Sequence, residues 1–231
     1  MDAQGYKVIG HRLCPYVQRV VITLDEHGLA FTREDIDLDR KPAWLEDLSP
    51  NREVPVLRLA EGDWLVESGV IARYLDRVSG GGLLPRDARD AARHEAWIAH
   101  ADGMLSLVAG VIYLDQDARA VERSVQALAG RLDRMVTRLP PDPYFSGSEF
   151  GLVDIVMATL VRYFEVIDLV SDTALAPPPD TPLGVWWARV RGRRSVARAV
   201  PAEYEAELRR FIAAKPSHAG RVLAGMELAG I

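Results

Sequence analysis

The chain has 231 residues, 48% hydrophobic and 26% charged, with a net charge of −5 and a single cysteine. That composition is globular rather than disordered, the acidic balance argues against nucleic acid as a main partner, and one cysteine excludes a disulfide framework or a zinc ribbon. Met1-Asp2-Ala3-Gln4-Gly5 shows no basic region leading into an apolar stretch, and no apolar run approaches the ~18–20 residues that span a bilayer. The expectation is a soluble, cytoplasmic protein without membrane contact, in a compartment where a free thiol stays reduced.

Tyr6-Lys7-Val8-Ile9 reads as a strand. Val17, Val20, Val21 and Leu24 mark one face of a helix that closes near Gly28, a good residue just past a helix end. Between them lies His11-Arg12-Leu13-Cys14-Pro15-Tyr16. Cys14 falls at or next to the N-cap and Pro15 at the first helical position, where its missing N–H costs nothing. A sulfur there faces the free N–H groups of the first turn and the positive end of the helix dipole. Its pKa is therefore expected below the free value of ~8.5. The bland alternative is a small buried hydrophobe. His11 either lowers the pKa further or faces water.

Phe31–Leu38 is a second strand, and Lys41-Pro42-Ala43-Trp44-Leu45 opens a short helix with proline at its first position. Val56-Leu57-Arg58-Leu59 and Trp64-Leu65-Val66 make a hairpin around Glu61-Gly62-Asp63. Glu67-Ser68 opens a helix whose apolar face is Val70, Ile71, Tyr74, Leu75 and Val78. The order β-α-β-α-β-β-α describes a thioredoxin-like unit over residues 1–79. Gly80-Gly81-Gly82-Leu83-Leu84-Pro85 breaks the pattern, so residues 80–86 read as a linker.

Residues 87–231 read as an all-helical domain. Asp87–Tyr113 and Asp117–Leu139 are long helices, and a third, nearly all apolar, begins at Gly151-Leu152-Val153-Asp154. Shorter helices fall near Leu183–Arg191 and Glu203–Ala214, and the Gly- and Ala-rich tail from Pro216 has no clear pattern. The basic run Arg189, Arg191, Arg193, Arg194 and Arg198 reads as solvated surface. The five histidines, at 11, 27, 94, 100 and 218, show no metal-ligand spacing, so no metal is expected. Most of Trp97, Tyr113, Tyr163, Phe164, Trp186 and Trp187 read as core.

Four motifs in order carry a family resemblance: Cys14-Pro15-Tyr16 followed by Gln18-Arg19-Val20, Lys41-Pro42-Ala43-Trp44, Val54-Pro55-Val56-Leu57, and Glu67-Ser68. In that order the chain resembles the cytosolic glutathione transferases, most closely their omega-like, cysteine-containing branch, over most of its length to about residue 210. The resemblance implies the glutathione transferase fold, a thioredoxin-like α/β domain followed by an all-α domain. It implies glutathione as co-substrate and a homodimer. It implies a cis Val54-Pro55 bond that turns the Val54 backbone groups toward an extended peptide, as an added strand would pair. Ser68 and its helix start would then hold the γ-glutamyl carboxylate, and Glu67 the ammonium. Ser68 serves equally as a plain N-cap. Lys41 would pair with the glycyl carboxylate, or be a solvated lysine.

Tyr16 and Tyr113 are candidates for an acceptor pocket. Gly151 stands where the family usually has Ser or Thr, and Asp154 can still accept the residue-151 N–H, a folding role. With Cys14 in place of a catalytic hydroxyl, the resemblance implies a thiol transferase or reductase. Cys14 would form a mixed disulfide that a second glutathione resolves, since no second cysteine exists. Glutathione mixed disulfides, dehydroascorbate or glutathionylated ketones and quinones are the implied substrates. Conventional conjugation of electrophiles, with Cys14 a bystander, and glutathione binding without turnover stay open beside it.

Overall fold

The computed structural model of the protein describes residues 5–59 and 61–229. Met1–Gln4, on which the reading of the N-terminus rests, lie outside the described residues. The chain divides into two compact units: the residues up to Arg86 with Gly192–Pro201, and Asp87–Arg191 with the residues from Ala202 on.

The first unit is thioredoxin-like, as the sequence predicts. Its elements are β1 (Tyr6–Gly10), α1 (Pro15–Glu26), β2 (Phe31–Asp35), α2 (Leu45–Leu48), β3 (Val56–Arg58), β4 (Trp64–Leu65) and α3 (Ser68–Val78). The strands run in the order β2-β1-β3-β4, with β1 parallel to β2 and antiparallel to β3, and β3 antiparallel to β4. Alternation along β1 sorts its side chains between the two faces. Ile9 joins Val56, Ile36 and Leu45 of α2 in one apolar cluster. Gly10, one residue on, lies against α1. A Cβ built there would fall 2.4 Å from Val17 Cγ2, so only glycine lets the helix approach so closely.

The short helix begins three residues later than the proline suggests. Leu45, Glu46 and Asp47 donate to the carbonyls of Pro42, Ala43 and Trp44, three residues back, so this entry is a tight turn rather than an α-helix. After α3, Gly80, Gly81 and Gly82 all have positive φ, and the Gly81 N–H caps the Asp76 carbonyl at 2.7 Å. Side chains with a Cβ would be strained through this linker. Asp76 also accepts the Leu83 N–H at 2.9 Å and faces His27 Nε2 at 3.0 Å, tying linker, α3 and α1 together.

The second unit holds α4 (Ala88–Tyr113), α5 (Ala118–Arg138), α6 (Leu152–Val161), α7 (Phe164–Ile167) and α8 (Pro182–Arg191). After α9 (Arg194–Arg198) it resumes with α10 (Tyr204–Ala213) and α11 (His218–Ala229). All ten residues of α6 are buried, matching its unbroken apolar sequence. The patternless tail is helix α11, started by Ser217, whose hydroxyl accepts the Gly220 N–H at 3.1 Å. One expectation needs correction: α4 is long and apolar enough, by length and composition, to cross a membrane. Its Ile98, Ala101, Met104, Leu105, Val108, Val111 and Ile112 are nevertheless buried, and it packs on α5 and α6. The apolar content is that of a bundle helix.

Helix α9 corrects a second expectation. Residues 192–201 pack with the first unit, not the helical one. Arg193 donates to Glu26 at the end of α1 through Nε at 2.7 Å and Nη2 at 2.6 Å, and the Ser195 hydroxyl donates to the same carboxylate. Arg198 stands 3.7 Å from Asp25, and Arg33 of β2 donates to the Ala199 carbonyl at 3.1 Å. The basic run is therefore partly a clamp on α1. The acids that receive it lie some 170 residues away in sequence, beyond the reach of pattern reading.

Candidate active site

Cys14 is the N-cap of α1 and Pro15 its first residue. The turn that presents it is held locally: the Cys14 N–H bonds the His11 carbonyl at 2.9 Å, and the Leu13 N–H bonds His11 Nδ1 at 3.3 Å. His11 therefore braces the turn. The residue is partly exposed, while its thiol is set back from solvent.

The expected fall in its pKa does not occur. Burial pushes the Cys14 thiol up. The Val17 and Tyr16 amides of the first turn pull the other way, as do the charges of Arg19 and Arg33. The helix-terminus effect legible in the sequence is present. Desolvation, which a sequence does not display, outweighs it.

Strand register brings the other predicted residues to the same end of the sheet. Ile9 pairs with Val56, so the peptide before Val56 lies beside Gly10 and the Cys14 turn. The Val54-Pro55 bond is cis. Lys41 Nζ donates to the Arg52 carbonyl at 2.8 Å, and Arg52 Nη2 returns a bond to the Lys41 carbonyl at 2.8 Å. Lys41 is thus no freely solvated lysine; it braces the segment leading into the cis bond.

Glu67, not Ser68, is the N-cap of α3, and Ser68 is the buried first helical residue. Glu67 has φ 67° and ψ 104°, and Arg52 has φ 53°. They are the two non-glycine residues with positive φ among the described residues. Such backbone costs roughly 1–3 kcal/mol and gathers at ligand clamps. Both fall on the loops flanking β3 and β4.

Tyr16 belongs to the first unit and Tyr113 to the second. Tyr113 is exposed and edge-on to Phe211, while Tyr163, Phe164 and Trp186 are core.

Asp154 in the second unit is fully buried. Its carboxylate accepts the N–H groups of Phe145 (2.8 Å), Ser146 (3.1 Å) and Gly151 (3.1 Å), and Trp186 Nε1 at 2.8 Å. Gly151 has no side chain to return a bond, so half a capping box forms. The other three donors extend it into a staple for the loop before α6.

Sequence reasoning missed Arg19 and Arg33. Arg19 is 2% exposed, and its guanidinium lies 5.5 Å from the centre of the Tyr16 ring. Arg33 bonds Asp35 at 2.9 Å, and its Nη2 is buried without a hydrogen bond among the described residues. Arg19 does show a signal: an arginine directly before Val20, Val21 and Ile22 on a helix whose buried residues run from Val17 to Leu24.

Residues 13–78 match the family model of the glutathione S-transferase N-terminal domain, and residues 118–182 that of the C-terminal domain, together more than half of the chain. Glutathione transferase GST 23 of Zea mays is 28% identical over 205 residues, covering 87% of this chain and 91% of the relative. Glutathione S-transferase omega-1 of Sus scrofa is 25% identical over 166 residues, covering 71% and 68%. The Tau class glutathione S-transferase of mango, Mangifera indica, superposes with a TM-score of 0.77 at 23% identity, covering 91% of this chain and 99% of that structure.

Proposed function

This chain belongs to the glutathione transferase family, and on that premise we propose that it is a glutathione-dependent thiol transferase or reductase working through Cys14. The observation that carries the reading is the placement of Cys14: an N-cap sulfur with two first-turn amides and two arginines acting on it, beside the cis Val54-Pro55 loop. Omega-1 and the tau-class structure are both relatives, so family membership alone does not choose between thiol exchange and conjugation.

Cys14 loses its proton, and its thiolate attacks the glutathione sulfur of a mixed disulfide. The Cys14–glutathione S–S bond forms, the old S–S bond breaks, and the departing thiolate takes up a proton. A second glutathione thiolate then attacks that sulfur. Oxidised glutathione leaves and the Cys14 thiolate returns. In the net exchange one free glutathione is consumed: the substrate leaves as a thiol, and its glutathionyl group leaves in oxidised glutathione. The Val54 backbone, Ser68 and Glu67 hold the peptide part, and Lys41 faces the glycyl carboxylate. Tyr16, two residues on from Cys14 in α1, is the acceptor contact of the first unit in this reading. In this reading the enzyme works in the cytoplasm as a homodimer, and light scattering should read twice the chain mass.

Intact-mass analysis after exposure to oxidised glutathione tests the core of this. The expected result is one glutathione added to the parent and none to Cys14→Ser, with thiol-transfer turnover lost in the variant. A second reading is favoured by the upward push on the Cys14 thiol: conjugation by glutathione's own thiol. It predicts that Cys14→Ser keeps or gains activity toward an activated aryl chloride, and that the parent takes up no glutathione covalently.

A further inference from the structure

We propose that His11 and Gln18 are positioning residues for Cys14: together they hold all four backbone hydrogen-bonding groups of Leu13 and Cys14, and so fix the sulfur for in-line exchange with glutathione. This deepens the thiol-transfer reading and rests on it.

Residues 11–14 lie between β1 and α1. Backbone groups in such a connection need partners when the chain around them is buried, and Leu13 is 6% exposed. The Leu13 N–H donates to His11 Nδ1 at 3.3 Å, and the Leu13 carbonyl accepts from Gln18 Nε2 at 3.2 Å. The Cys14 N–H donates to the His11 carbonyl at 2.9 Å, and the Cys14 carbonyl accepts the Gln18 N–H at 3.0 Å. Two of these four bonds run from backbone to backbone, so many residues could make them. The other two need a side-chain acceptor at position 11 and a side-chain donor at position 18.

The two side chains suit those parts. An imidazole nitrogen that accepts an N–H carries no proton, so the ring hydrogen of His11 sits on Nε2. Gln18 is fully buried, on a helix whose other buried residues include Val17, Val20, Val21, Ile22 and Leu24. An amide there is costly unless its groups are bonded, and an apolar residue would pack without that requirement. What the amide supplies and an apolar residue cannot is the bond to the carbonyl next to Cys14.

The clamp sets where the sulfur points. Pro15 has no N–H, so the first donors past Cys14 are the Tyr16 and Val17 amides, and both act on the sulfur. Disulfide exchange needs the attacking sulfur aligned with the bond that breaks, and a misplacement of about 1 Å can cost roughly a hundredfold in rate. Holding Leu13 and Cys14 from both sides limits that misplacement before glutathione arrives.

The test compares H11A, H11N and Q18M with the parent in thiol transfer from a mixed disulfide of glutathione and a small thiol. Asparagine keeps an acceptor at the place of Nδ1, and methionine keeps the length of glutamine without its donor. The turnover number should fall about tenfold in H11A and Q18M, and H11N should recover most of that loss. Alkylation, in which the Cys14 thiolate displaces iodide from iodoacetamide, needs no alignment with a bound partner and should fall less than turnover. Circular dichroism checks that each variant is folded, and either position decides by itself if the other variant does not fold. Parent turnover in folded H11A or Q18M overturns the proposal. So does an H11N as slow as H11A, or alkylation that falls as far as turnover, since the cysteine would then be disabled rather than misplaced. A further readout needs no glutathione. The Leu13 amide should exchange its hydrogen about tenfold faster in H11A than in the parent, and equal exchange overturns the clamp. A parent that gains no mass from oxidised glutathione, while H11A still speeds the Leu13 amide, overturns the thiol-transfer reading alone.

Discussion

Two buried ionisable groups, one in each unit, divide the molecule's chemistry between them. Asp154 lies at the start of α6 with four donors on its carboxylate, three from backbone and one from an indole ring. Cys14 lies at the start of α1, where two amides and two arginines oppose burial without cancelling it. Burial pushes both groups up. The difference lies in satisfaction. Asp154 has its acceptor sites filled at 2.8–3.1 Å by groups that cannot move without unfolding the loop. That makes it a folding element. At Cys14 the balance stays open, so a change of charge or partner can tip it. That is what a reacting atom needs.

Breaking the saturated member should have the largest effect on stability. Asp154→Ala leaves four donors unpaired, three of them buried, and should cost about 3–5 kcal/mol, read by urea denaturation. A loss under about 1 kcal/mol would show that water replaces the carboxylate, and the contrast with Cys14 would fail. Cys14→Ser, measured alongside, should stay within about 1 kcal/mol of the parent.

The contrast sharpens at the start of α3. Ser68→Ala removes a hydroxyl from the proposed anion site while the fold persists. Glutathione binding should weaken by about ten- to a hundredfold, the loss of roughly 1.5–3 kcal/mol for a charged hydrogen bond. Calorimetry showing the parent's affinity would take Ser68 out of that site.

The smallest effect belongs to the clamp on α1. Although burial pushes the Glu26 carboxyl up, hydrogen bonds from Arg193 and Ser195 hold it below its usual range. A depressed carboxyl stabilises the fold above the unfolded pKa of ~4.3 and loses that contribution as pH falls through the folded value. Glu26→Gln should therefore cost about 1 kcal/mol at neutral pH, a modest figure because Arg193 is partly exposed. The difference from the parent should vanish in acid. Melting curves at neutral and acidic pH would show it, and a gap that persists in acid would mean the loss is one of packing.

Much of the first unit could be read directly. The apolar period from Val17 to Leu24, proline at a helix start, the Glu61-Gly62-Asp63 turn and the glycine run at 80–82 act through neighbours a few residues apart. That is why element types and their order survive into the structure. The Cys14 turn and the Asp154–Gly151 bond are equally local. What could not be read depends on distant partners or on water. Helix α9 docks through Glu26 and Asp25, and Trp186 reaches Asp154 across 32 positions. Lys41 bonds a carbonyl that only the loop's path brings near.

By itself, the sequence determined the thioredoxin-like order, the helical second unit, the placement of one cysteine at a helix start, and four motifs in their places. The tertiary structure alone decided that 192–201 belongs with the first unit, that Arg19 is buried over the Tyr16 ring, and that the thiol is pushed up rather than down. Helix periods and caps are set by local backbone geometry, whereas desolvation exists only once the rest of the chain has closed over the group.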